Sequence, residues 1–264
     1  MSEEKVRLGG MALANGVLVH GPTSWACAIR HDDGRIEVAS AHKRFRAANM
    51  RTPLLRGPAR LVEAVAILPA VKRKLPEAKL PMQDGRTAAS VVGAAVVVRG
   101  VRESGRFRPA AQELLAGFAS LAPALMALRG GELAAYHGAE HITIGTYEHD
   151  ARATKEHERC GGHMIGPLVL TSAVGNAIAG LAPERLRNRA RAAAQFAALA
   201  ASTELFSWMV RHPENVVAQA LSKPGHELQH RLSTAEPTPE QLEVAEAALR
   251  ACLELEDGDD PQQA

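Results

Sequence analysis

Between Ala134 and His163 the chain reads AAYHGAEHITIGTYEHDARATKEHERCGGH, which gathers five of its eleven histidines and one of its three cysteines into thirty residues. Imidazole nitrogen and thiolate sulfur are the donors that suit zinc. His137, Glu140 and His141 form H-x-x-E-H. On a helix, residues four apart share a face, so both imidazoles can reach one cation, and Glu140 stands one turn from His137. This is the inverted order of the metalloprotease H-E-x-x-H motif. His157 and Cys160 add H-x-x-C, so the whole pattern is His137-x3-His141-x15-His157-x2-Cys160, the layout of a tetrahedral zinc site. The predicted metal ligands are therefore His137, His141, His157 and Cys160. Glu140 and Glu148 are the predicted catalytic carboxylates; Glu148, by accepting a hydrogen bond from a ligand imidazole, would orient the ring. The bland alternative makes the histidines polar-face and loop residues and Cys160 a small buried hydrophobe.

Two functions fit such a site. In the first, the chain is a zinc-dependent hydrolase of unknown substrate, small molecule or protein, with Glu140 taking a proton from water that zinc has acidified. In the second, zinc staples a non-catalytic scaffold whose surface binds a partner. Coordination number separates them, because four protein ligands close a site and catalysis needs an open position. A carboxylate inside the ligand pair is unnecessary for a staple, which favours the enzyme.

The elements that must hold these donors are readable in outline. GVLVH, CAIRH and IEVAS are short β-prone runs separated by GPTS and by an Asp-Gly turn, so an antiparallel hairpin or small meander is expected near the start. Leu61–Val71 has helical length, and Leu75 to Arg86, with two prolines and a glycine, reads as a linker or exposed loop. AASVVGAAVVVRGV fits either helix or buried strand. From Pro109 onward the chain turns helical, with Pro123 expected to kink or end the first helix. Thr238–Leu255 is an amphipathic helix opened by a threonine cap, with Leu242, Ala245, Leu249 and Cys252 on one face. The expected class is α+β: a β-containing segment over residues 1–80, a helical domain with the metal site over 81–255, and a disordered acidic tail over 256–264.

Bulk composition narrows the partners. Net charge is +2, so charge alone points to no nucleic acid. Three widely spaced cysteines argue against a disulfide framework and for a reducing, cytoplasmic compartment. Aromatics make up 3%, so the core must be filled by Ala, Val and Leu. Met164 to Ala182 is nineteen residues without a charge, but it carries Pro167, Asn176 and several small residues. It reads as a buried or surface-docked helix, with a membrane helix as the alternative, and peripheral membrane contact and homo-oligomerisation are left open.

The ordered blocks resemble those of a known family. GGMALANGVLVHGP is similar to the opening of the bacterial and plastid proteins grouped as domain of unknown function 1385 (DUF1385). YHGAEHITIGTYE followed by HERCGGH resembles their central signature, and KPGHELQHRLSTAEPTPEQLEVAEAAL their final one. The resemblance implies a metal-dependent enzyme of unestablished substrate, with His137, Glu140, His141, Glu148, His157 and Cys160 in the shared block and Glu204 in a later one. Asn15, Met11 and His20 depart from the glutamate, glutamine and arginine expected there, and Gly162, His163 and Met164 from the residues expected after the cysteine. Membrane helices of many relatives are thinned here by charges and prolines, which implies a soluble variant.

Overall fold

A four-stranded antiparallel sheet in the order β1-β2-β3-β4 opens the fold. Its strands are β1 (Gly9–Leu13), β2 (Gly16–His20), β3 (Ser24–Arg30) and β4 (Ile36–His42). The computed structural model describes residues 5–258 apart from 46, 48–49, 81–84, 108–110, 113–114, 118, 120–121, 124–125 and 127–130. The expected helix opening at Pro109 falls largely outside the described residues. The sheet is joined by short turns. Leu13 pairs with Gly16 across the two-residue turn Ala14-Asn15, and Gly34 has φ +87° in the expected Asp-Gly turn. Asn15 fastens its turn to the chain beyond the first helix, accepting from the Lys79 N–H at 2.8 Å and donating to the Glu77 carbonyl at 3.2 Å.

Helices follow: α1 (Arg56–Lys74), α2 (Gly85–Glu103), α3 (Gly131–His149), α4 (Ile165–Gly180), α5 (Glu184–Arg211), α6 (Val216–Leu228) and α7 (Pro239–Gly258). A 3-10 turn, Gly161–Met164, leads into α4, and a π turn, Gln229–Ser233, ends α6. The ambiguous valine-rich run is helix α2.

The strands alternate their side chains between faces, and each face acquires its own core. Ala12, Val17, Val19, Ala26 and Ala28 pack on Tyr136 and Ala139 of α3 and on Val244, Ala245, Ala248 and Cys252 of α7. Leu13, Leu18, Cys27 and Ile29 pack on Ile67 and Val71 of α1. Leu75 and Ala78 join this second core and are fully buried, so the stretch expected as an exposed loop is anchored up to Leu80. Helix α7 carries a reciprocal cap. The Gln241 N–H donates to Thr238 Oγ1 at 3.3 Å, and the Thr238 N–H donates to Gln241 Oε1 at 2.9 Å. The helix runs on through Gly258, and Glu256 accepts from the N–H and hydroxyl of Ser24 at 2.6 Å. Its last turn is thereby tied to the start of β3.

Among the described residues, no helix is long and apolar enough to cross a membrane.

Candidate metal centre

Helix α3 is buried on nearly every side from Ala134 to Gly145, so it can carry polar groups only where something meets them. His137 and His141 lie one turn apart on it, with ring centroids 4.3 Å apart. Each directs Nδ1 at a backbone carbonyl: His137 at that of Ser233 and His141 at that of Lys155, both at 2.7 Å. A carbonyl can only accept, so Nδ1 carries the proton in both rings and Nε2 presents a lone pair. The carbonyls reach the helix because Gly138 has no side chain; a Cβ there would lie 2.1 Å from the Ala235 carbonyl oxygen. The chain over 233–235 crosses at that point, and the Ala235 N–H donates to the Ala134 carbonyl at 2.9 Å.

Cys160 comes from the chain that returns over α3. It precedes the 3-10 turn, and its sulfur lies 3.4 Å from the Gly162 N–H and 3.6 Å from His137 Nε2. One nitrogen from each histidine and the sulfur all fall within 4.8 Å of one another. Zinc ligands at 2.0–2.3 Å in a tetrahedron stand roughly 3.5 Å apart, a spacing close to that of these three donors. Burial keeps both imidazoles neutral: it pushes His141 down to about 2, with the His137 charge next, and pushes His137 down as well. It pushes the Cys160 thiol up to about 12, so a thiolate requires a positive charge in the cluster. The donor set is compatible with a metal ion.

Glu140 faces the same point. Its carboxylate oxygen is 3.9 Å from Nε2 of both His137 and His141, and burial pushes its carboxyl up to about 7. Gly10 of β1 makes room for it, since a Cβ at that position would lie 2.3 Å from Glu140 Oε1. In front is a cavity of about 430 Å³ that β1, α3 and the Cys160 turn enclose together.

His157 and Glu148 form a neighbouring unit. His157 Nε2 donates to Glu148 Oε2 at 3.1 Å, and Arg159 bonds the other oxygen of the same carboxylate. The His157 ring lines the cavity, 5.5 Å from the His141 ring, and its backbone N–H donates to Gln229 Oε1 at 2.9 Å. Of the predicted residues, His137, His141, Cys160 and Glu140 converge, while the Nε2 nitrogen of His157 turns away to Glu148. Glu204, from the later block, lies elsewhere and binds Arg56 and the Leu54 N–H.

The model of a family described as protein of unknown function (DUF1385) matches residues 132–255. Over that stretch the chain is similar to the DUF1385 family. No curated protein and no solved structure matches it. The DUF1385 stretch opens inside α3 and closes inside α7, so it holds the donors and Glu140, while the strand that walls the cavity precedes it.

Gly10, the two carbonyls and Gln229 were not singled out in the sequence. Every residue has a carbonyl, so those of Ser233 and Lys155 leave no signal; the Gly9-Gly10 pair is the one readable hint.

Proposed function

We propose that the chain is a metal-dependent hydrolase and that zinc is the ion its donors fit best. One observation carries this reading: three protein donors converge rather than four, beside a buried carboxylate and a cavity large enough for a substrate group. Three donors leave a tetrahedral ion one open position. Zinc bound there would supply Lewis acidity, polarising a carbonyl and acidifying water. Glu140 takes the proton of the attacking water and returns it to the leaving group. A carboxyl near 7 suits both halves of that task at neutral pH. The Ser233 and Lys155 carbonyls fix the tautomers of the ligand rings, and Glu148 with Arg159 holds His157 at the cavity wall.

Substituting Glu140→Gln tests this. Zinc content by mass spectrometry and the melting temperature should stay as they are. Hydrolysis of p-nitrophenyl acetate and of quenched fluorogenic peptides should fall by about 10²–10⁴. Equal hydrolysis by the variant, or four protein ligands seen by X-ray absorption, overturns the proposal. The competing reading, a zinc staple without catalysis, draws on His157, whose ring stands close enough to serve as a fourth ligand if it leaves Glu148.

A further inference from the structure

The substrate class can be argued from the strand that walls the cavity. β1 is an edge: β2 lies on one side of it, and its other side faces the cavity, to which residues 8–12 contribute without a break. In an antiparallel pair every second residue of an edge strand points its N–H and C=O away from the sheet. Among the described residues, nothing from outside the sheet bonds to residues 8–12, and Gly10 is exposed. The volumes that side chains at Gly9 and Gly10 would fill are taken by His20 and Glu140, which stand over the faces of the strand and leave its edge clear.

Reactive groups stand at the same place. Glu140 Oε1 sits where a Gly10 side chain would begin. A strand added to β1 would run about 4.8 Å from it, along the cavity that His137, His141 and Cys160 also line. Leu8, Met11, Leu133 and Ile144 supply apolar wall for alternate side chains of such a strand. A compact metabolite would need a few fixed polar contacts; a free ladder edge offers repeating ones, spaced for a backbone.

We propose that β1 receives an extended polypeptide as a fifth strand and presents one of its peptide bonds to the His137–His141–Cys160 cluster. This rests on the hydrolase reading above. Water then adds across the C–N bond: the carbonyl carbon gains the hydroxyl, and the amine nitrogen gains the proton that Glu140 carries.

The test uses the full chain loaded with zinc and a pool of random-sequence quenched decapeptides. Saturating peptide should slow amide hydrogen exchange over residues 8–12 at least about tenfold, in wild type and in Glu140→Gln alike, while only wild type cleaves. Decapeptides N-methylated at alternate positions should be cut about tenfold more slowly or worse, because each loses donors to the ladder. Unchanged exchange over 8–12, or equal cleavage of methylated and plain peptides, overturns the proposal. So does protection present without peptide and lost on dilution, which would give the edge to a second copy of the chain. Ester hydrolysis that depends on Glu140, together with unchanged exchange, would leave the hydrolase reading standing and remove this one alone.

Discussion

Glu63 and Glu140 are both buried, at 5% and 7% exposure, on elements packed against opposite faces of one sheet, and they differ in what surrounds them. Glu63 on α1 accepts from the Lys43 ammonium at 2.9 Å, and that ammonium also bonds His20 Nδ1 at 3.2 Å. Glu140 on α3 meets two imidazoles at 3.9 Å, and among the described residues no lysine or arginine pairs with it. Burying a charge costs several kcal/mol unless a partner offsets it. The chain supplies that partner for Glu63, which makes the pair a brace between α1 and the end of β4. For Glu140 it supplies none, and the carboxyl is pushed up to about 7. The first cluster pairs its charges internally, whereas the second sets neutral rings and a protonated thiol within reach of one point, an arrangement compatible with a metal ion.

The sharpest way to break this contrast is to remove one partner on each side. Lys43→Met strands a buried Glu63 and should cost about 3–5 kcal/mol in denaturant unfolding, most of it recovered when Glu63→Leu is added. Glu140→Gln removes a carboxylate that has no cation and should leave stability unchanged or raise it. Similar losses in the two single variants would erase the distinction.

Zinc should discriminate between the regions next. At a free concentration a thousandfold above its dissociation constant it should stabilise the chain by about 4 kcal/mol. Cys160→Ala should abolish most of that gain, and Lys43→Met should keep it. A melting curve indifferent to zinc removes the second cluster from consideration as a metal site.

The smallest effect concerns His20, whose Nδ1 bonds the first cluster while its ring lines the cavity of the second. Burial, then the Lys43 charge, push it from 6.5 down to about 4. The unfolded chain therefore binds the extra proton first. Stability is full above pH 6.5 and declines as the pH falls towards 4, by up to about 3 kcal/mol. Denaturant titrations of His20→Gln should lose that slope, and an unaltered pH profile would count against the assigned burial.

How much of this was legible depends on the range of the interaction. Helix α7 was readable because its cap and its buried row lie within one element. The pair His137 and His141 was readable for the same reason, four residues apart on a helix. H-x-x-C placed Cys160 near them. Which way the His157 ring turns, however, is decided by Glu148 and Arg159, and no spacing encodes that. Leu75 and Ala78 looked like loop because prolines flank them, and their burial comes from strands far earlier in the chain. The role of Gly10 is invisible until Glu140, 130 residues later, is laid against it.

The row Val244, Ala245, Ala248 and Cys252 packs into the same cluster as Val17, Val19, Ala26 and Ala28. A fragment cut to residues 132–255 would therefore keep His137, His141 and Cys160 yet lay bare the apolar side of both its flanking helices. Such a piece is expected to aggregate when expressed by itself, and to become soluble when residues 5–42 are provided as a separate peptide.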